Sequence, residues 1–252
     1  MTLADDSASG PPLFALNAAV ATITLRRPEQ HNRIDPDDLP VLMAHLDRIE
    51  ADPAIRVIIW RGRGERSFSS GYTVEAILSR LEERAFERFL NRLERVDRLC
   101  IAVIQGGIYG GATDLALCCD QRIGVADGRM FMPAARFGLH YYPDGLRRYV
   151  TRLGMSAARK LILSAATIEA DEMLRIGFLT DCVAPAELEA TVSRRVAEAL
   201  QCEPAAVAAM KASLAELGQV DAAVLASLES RYLASLRSPA LRDRLTARER
   251  TR

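Results

Sequence analysis

Apolar and polar positions along this chain alternate between a strand-like and a helix-like rhythm. Val20-Ala21-Thr22-Ile23-Thr24-Leu25 alternates with period two and is β-branched, which predicts a strand ending at Arg26-Arg27-Pro28. Val57-Ile58-Ile59-Trp60 and Ile101-Ala102-Val103-Ile104 are short unbroken apolar runs, the pattern of strands buried on both faces. Arg122 to Ala126 predicts a further strand. Asp35-Pro36-Asp37-Asp38 reads as a helix start, with a capping acid, a proline and acids facing the helix dipole, and that helix runs to about Ala51. A second break after a strand, Phe68-Ser69-Ser70-Gly71-Tyr72, leads into helical segments through Val96. Helical spacing then dominates over 145–153, 156–164 with Ser156 as cap, 170–176 with Gly177 just past its end, 186–201, 205–217, 221–236 and 238–248. Strands alternating with helices in the first half predict crossover units and an α/β fold. The last fifty-odd residues are too rich in alanine and leucine for a free tail and are expected to dock on the body or a neighbour. Residues 1–12 read as a disordered lead.

Composition narrows the partners. Thirty-three basic and thirty-three acidic residues balance in a 252-residue chain that is 49% hydrophobic and 26% charged. A formally neutral chain gives no electrostatic reason to expect nucleic acid, and the basic run Arg242 to Arg252 reads as a solvated face. Cys100, Cys118, Cys119, Cys182 and Cys202 form no Cys-x-x-Cys pair. With only His31, His45 and His140 beside them, no metal-ligand spacing exists, and the expectation is no metal. Scattered thiols in apolar contexts predict core packing in a reducing compartment. The polar, acidic first ten residues and the lack of a membrane-length apolar run make the expected location cytoplasmic, without a membrane partner.

The chemistry concentrates at Gly106-Gly107-Ile108-Tyr109-Gly110-Gly111-Ala112-Thr113-Asp114. A strand that breaks at glycines and restarts as a helix leaves free N–H groups at the helix N-terminus. Gly110 and Gly111 lack a Cβ, so a ligand oxygen can approach that backbone closely. Asp114, one turn further in, adds a carboxylate. Oxyanion-binding amides beside a proton-transfer group form the minimal kit for carbonyl chemistry through an enolate.

These residues carry a resemblance. Arg27-Pro28-Glu29-Gln30-His31-Asn32, Phe68-Ser69-Ser70-Gly71-Tyr72-Thr73, Gly110-Gly111-Ala112-Thr113-Asp114-Leu115-Ala116 and Ile168 to Phe178 are similar, in order and spacing, to four segments of the crotonase (enoyl-CoA hydratase/isomerase) superfamily. The resemblance spans roughly residues 13 to 248. It implies a ββα spiral over 13–195 holding the CoA-thioester site. It also implies a C-terminal helical segment, 196–252, for oligomerisation and active-site cover. The amides of Tyr72 and Gly111 would form the oxyanion hole, with Asp114 where hydratases keep their first catalytic glutamate. Substrate-binding positions would be His31, Ser70, Gly71, Thr73, Val74, Gly110 and His140. The substrate would be an acyl-CoA, no further cofactor would be needed, and the assembly would be a homotrimer or homohexamer. The Tyr72 side chain either packs away from the site or shapes the acyl pocket.

Two departures alter the chemistry the resemblance implies. Met132-Pro133-Ala134-Ala135 stands where hydratases carry a second glutamate, and alanine cannot transfer a proton. Gly138-Leu139-His140-Tyr141-Tyr142-Pro143-Asp144-Gly145 brings two tyrosines, and Tyr141 coincides with a tyrosine that methylmalonyl-CoA decarboxylases of the superfamily place near the substrate carboxylate. The catalytic candidates are therefore Asp114 and Tyr141. Plainer uses stay open: Asp114 as an ion-pair partner, Tyr141 and Tyr142 as packing, His140 as a structural histidine, Asp144 as a helix cap. The leading reading is an enolate-forming acyl-CoA enzyme, nominally an enoyl-CoA hydratase/isomerase. A decarboxylase or hydrolase is the alternative in the same fold, and a catalytically silent CoA-binding subunit the alternative of another class.

Overall fold

The computed structural model describes residues 9–73, 76, 84–218, 221–237 and 239–249. Val74, an expected substrate-binding position, lies outside the described residues. Among the described residues, ten strands form two sheets. The larger runs in the order β1 (Gly10–Asn17), β2 (Val20–Arg26), β3 (Val57–Gly62), β5 (Leu99–Ile104), β7 (Gln121–Val125) and β10 (Asp181–Val183), with only β1 antiparallel to its neighbour. The smaller contains β4 (Ser67–Ser69), β6 (Gly107–Tyr109), β8 (Arg129–Phe131) and β9 (Ile168–Glu169), of which β9 is antiparallel. From β3 to β8 the chain visits the two sheets alternately, and this alternation makes the spiral.

The apolar pattern explains the layers. Ala21, Ile23 and Leu25 of β2 are buried while the residues between them are half-buried, so one face of the strand enters the core. Leu39, Leu42, Leu46 and Ile49 of the helix Asp38–Ala51 join that same core. Each such side chain contributes about 1.5–3 kcal/mol on full burial. The unbroken runs of β3 and β5 are covered twice. Ile58 and Trp60 face the first core, whereas Val57, Ile59, Ile101 and Val103 meet Leu188 and Val192 of the helix Leu188–Gln201 on the other side.

Several expectations change. The supposed lead at 10–12 is the start of β1. Proline is tolerated there because β1 is an edge strand, its register is irregular between Gly10 and Leu13, and the Arg26 side chain donates to the Pro11 carbonyl at 2.7 Å. The first helix begins at Asp38 rather than Asp35, since Asp38 turns back to accept from the Asp35 amide at 2.8 Å. The helical run Pro143–Ser164 is interrupted at Gly154, whose φ of 77° and ψ of 160° are non-helical, in the gap expected between 153 and 156, although Ser156 itself is helical and not the cap. The four short strands of the smaller sheet, two or three residues each, carry too little pattern to stand out in the sequence.

The C-terminal helices dock on the chain's own body. Tyr232, Leu236 and Leu241 are buried in the main core. Lys211 of the helix Pro204–Leu217 reaches Asp120 at 2.7 Å and the Arg98 carbonyl at 2.8 Å. The helix Leu188–Gln201 runs straight through the expected boundary at 195, with Val196, Ala199 and Leu200 packed against the sheet's second core.

Candidate active site

Strands β4 and β6 pair in parallel, Ser67 opposite Gly107 and Ser69 opposite Ile108, so the loops that follow them leave the sheet side by side. The first loop is fastened to the N-terminal segment. The Ser70 amide donates to the His31 carbonyl at 2.7 Å, the Ile34 amide to Gly71 at 2.9 Å, and the Thr73 amide back to Ile34 at 3.0 Å. The Ser69 hydroxyl links the Gly71 amide (3.0 Å) to the Asn32 carbonyl (2.7 Å). In the second loop, Gly110 adopts φ 55° and donates to Phe131 at 3.0 Å, and the helix Gly111–Cys118 starts at the next residue. As the first helical residue, Gly111 has no carbonyl one turn back for its N–H.

The two loops meet at backbone distance. Gly71 has φ +88°, and a Cβ there would lie 2.6 Å from the Gly111 nitrogen and 3.0 Å from the Ala112 nitrogen. Only glycine permits this approach. From the other side, a Cβ on Gly111 would lie 3.5 Å from the Tyr72 nitrogen and 2.7 Å from the Phe86 ring. The Tyr72 ring stacks on Phe86, with centroids 4.9 Å apart and planes at 18°.

One helical turn inward the site changes character. Asp114 is fully buried, and both its oxygens are occupied. The Arg148 guanidinium donates to it twice, at 2.7 and 3.1 Å, Tyr141 donates at 3.0 Å, and Tyr142 makes a further contact. Arg148 is itself fully buried and reaches on to Asn91 and Glu94, each at 3.0 Å. Burial works against the Arg148 charge, but Asp114 outweighs it, and the guanidinium is held well above its usual range. Burial, then Asp114, push the Tyr141 hydroxyl well above an ordinary phenol, and Tyr142 likewise. Both phenols therefore stay protonated and donate to the carboxylate. Gly145 makes room for them, because a Cβ there would collide with the Tyr141 ring and come within 3.0 Å of Asp114.

Comparison with known proteins fits this architecture. Residues 15–239 match the family model for enoyl-CoA hydratase/isomerase. The chain belongs to that family. A short-chain-enoyl-CoA hydratase of Clostridium acetobutylicum is 30% identical over 217 residues, covering 84% of this chain and 83% of the relative. A crotonyl-CoA hydratase of Syntrophomonas wolfei is 29% identical over 217 residues, with 84% of each covered. Among solved structures, an enoyl-CoA hydratase/isomerase from Xanthobacter autotrophicus superposes with a TM-score of 0.85 at 26% identity, covering 96% of this chain and 94% of that one. A methylmalonyl-CoA decarboxylase has a TM-score of 0.87 at 22% identity, with 97% of each chain covered, and shows the shared crotonase fold.

Within this member of the family, the expected site residues divide into two groups. Ser70, Gly71, Tyr72, Gly110 and Gly111 converge at the loop crossing. Asp114 and Tyr141 meet one turn away, but Asp114 is enclosed by Arg148 and not open to a cavity, which differs from the expectation of a proton-transfer carboxylate. His31 stands beside Ser67 at 3.2 Å, with its own backbone left-handed at φ 53°. Thr73 is buried and its hydroxyl bonds the Ile34 carbonyl at 3.2 Å, tying it to the loop anchor. The His140 ring bonds the carbonyl of Tyr141 at 2.8 Å, a local backbone role. Ala134 is buried. Cys100, Cys118 and Cys119 are buried as expected, whereas Cys202 is exposed. Among the described residues no metal-holding group of His, Cys, Asp and Glu exists, and no helix is long and apolar enough to cross a membrane.

Sequence reasoning missed Arg148 and Phe86. Arg148 lies in a run with Arg147 and Arg152 that reads as a solvated helix face, and only its spacing from the inward Gly145 and Tyr149 hinted otherwise. Phe86 had no signal beyond apolar spacing.

Proposed function

We propose that this chain is an acyl-CoA enzyme that holds a thioester carbonyl at the Tyr72 and Gly111 amides and works through the enolate formed there. The observation that carries this reading is the approach of the two loops at Gly71 and Gly111. Two fixed amides at one oxygen can supply several kcal/mol of stabilisation as negative charge develops, since a single such donor is worth about 2.7–4 kcal/mol. Other members' names place them in hydration, and hydration or isomerisation is the reading that follows from them. The arrangement around Asp114 favours a different route to the same enolate. Hydration by two carboxylates needs free acid and base groups, yet Asp114 is saturated by Arg148 and the phenols, and Ala134 offers none.

Decarboxylation of a malonyl-type CoA ester needs no base. The bond between Cα and the carboxylate breaks, its electron pair moves to the thioester oxygen in the hole, carbon dioxide leaves, and Cα then takes a proton from water. In this route Tyr141 faces the acyl group and Asp114 is a positioning residue that fixes the phenol. The Arg148 pair holds Asp114 in place from the other side. Purified protein incubated with malonyl-type and enoyl-type CoA esters, read by mass spectrometry, tests the choice. Loss of carbon dioxide from the former with no water added to crotonyl-CoA is expected; efficient crotonyl-CoA hydration would reverse it. Binding without any turnover would favour the silent subunit. Assembly as a trimer or hexamer belongs to the same proposal. Its candidate face is the stripe of exposed Met210, Leu214 and Leu217, one helical turn apart along Pro204–Leu217, and sedimentation velocity checks it.

A further inference from the structure

A backbone donor is aimed by its own peptide plane. In a trans peptide the N–H of one residue points away from the carbonyl of the residue before it. Whatever holds the Gly110 carbonyl therefore sets the direction of the Gly111 N–H, and the Gly71 carbonyl does the same for Tyr72. The two carbonyls are held differently. Gly71 accepts from the Ile34 amide at 2.9 Å, a backbone contact. Gly110 accepts twice from one residue, from the Thr113 amide at 3.0 Å and from the Thr113 hydroxyl at 2.6 Å. Thr113 Oγ1 also lies 2.5 Å from the Tyr149 hydroxyl. A threonine hydroxyl carries one proton, and here it is committed to Gly110, so the Tyr149 O–H donates to Thr113.

We infer that Thr113 and Tyr149 are positioning residues for the oxyanion hole, fixing the aim of the Gly111 N–H through the Gly110 carbonyl. The inference rests on the thioester reading above. Gly110, at φ 55° and ψ −133°, has no Cβ to restrict its own peptide, so the hold comes from its neighbours. Thr113 supplies it from the first turn of Gly111–Cys118, and Tyr149 backs Thr113 from the helix Pro143–Ser164. Both side chains are fully buried. Burial pushes the Tyr149 hydroxyl above an ordinary phenol, so it stays protonated and remains a donor. The sequence of bonds from Tyr149 to Thr113 to the Gly110 carbonyl, and on to whatever the Gly111 N–H meets, runs donor to acceptor in one direction. Each bond polarises the next, so the last donor is strengthened as well as aimed. The amide itself is backbone and remains whatever stands at 113 or 149; the hydroxyls add direction and strength.

Difference infrared spectroscopy of bound butyryl-CoA, isotope-labelled at the thioester carbonyl, tests the inference without knowledge of the reaction. Hydrogen bonds to that oxygen weaken the C=O bond, so the wild type should lower its stretching frequency below that of the free ester. Thr113→Val keeps the branched shape and removes the hydroxyl. Two donors share the oxygen, so this variant should lose a part of the lowering, at most about half. Tyr149→Phe should lose less, because Thr113 still donates, and Thr113→Ser should recover most of the loss. Affinity for free CoA, which lacks the thioester, should be the same throughout. Circular dichroism and thermal melting establish that the variants fold, and Tyr149→Phe carries the test should Thr113→Val not. A wild-type frequency in the variant that carries the test, or an equal loss in Thr113→Ser, overturns the inference while leaving the thioester reading intact. Failure of the wild type to bind the ester, or a bound ester with the frequency of the free one, overturns both.

Discussion

Around the loop crossing the chain builds with backbone, and one helical turn away, at Asp114, it builds with side chains. The first region needs glycine at Gly71 and Gly111 and tolerates a bulky Tyr72, because an amide does not depend on the side chain behind it. The second is a closed set of charges and hydroxyls in which every group has a partner: Asp114 with Arg148, Arg148 with Glu94 and Asn91, Tyr141 and Tyr142 with Asp114. In the proposed reading, oxyanion binding can thus be retained while the proton chemistry beside it is rebuilt. A backbone device survives substitution around it, whereas a side-chain device is redefined by one exchange such as alanine at 134.

The largest expected effect comes from opening the side-chain region. Arg148→Met leaves Asp114 and Glu94 without their buried cation and should cost about 3–5 kcal/mol of folding stability by denaturant titration. Adding Asp114→Leu should recover at least about 1 kcal/mol, since the orphaned charge is then gone. A cost below about 1 kcal/mol for the single change would mean that the pair is not sequestered. Next comes the backbone region. Gly71→Ala places a Cβ against the Gly111 nitrogen and forces a left-handed alanine, at about 1–3 kcal/mol of strain. Steady-state turnover should fall by about 10²–10³ as the two amides separate. Smaller is Tyr141→Phe, which should slow a malonyl-type substrate about 10²-fold with little change in binding of the ester. Ala134→Glu should not raise crotonyl-CoA hydration, because Asp114 stays bound to Arg148; a clear gain would show that one added carboxylate is sufficient.

The smallest effect concerns His31. Burial first, then the Arg66 charge, lower its pKa below the ordinary 6.5. A depressed folded-state pKa means that stability is complete above pH 6.5 and declines as pH falls through the folded value. Melting curves of the wild type should therefore lose about a degree more than those of His31→Gln on acidification across that window.

Legibility followed the same division. Gly71, Gly110 and Gly111 could be read because each breaks the chain just before a helical run, where glycine is demanded by conformation or contact. Of the larger sheet, β2, β3, β5 and β7 were readable as apolar or alternating runs, whereas the start of β1 read as a lead and the three residues of β10 gave no signal. The smaller sheet was not readable, since Ser67–Ser69 and Gly107–Tyr109 are held by pairing with each other and carry almost no pattern of their own. Asp114 was visible as a carboxylate, but its partner Arg148 lies 34 residues on and becomes a neighbour only through the fold. A charged residue's partner is a tertiary fact, so its protonation role could not be read from spacing.

The pairing of β4 with β6 works as a ruler. Neighbouring strands in any sheet lie about 4.7–4.9 Å apart, a spacing fixed by the hydrogen bonds between them. Two N–H donors that far apart can each reach one oxygen at about 2.9 Å. By launching both loops from adjacent strands, the spiral starts the two proposed donors about one strand spacing apart. Connections elsewhere in the spiral are then free to lengthen, shorten or change sequence without altering that starting distance.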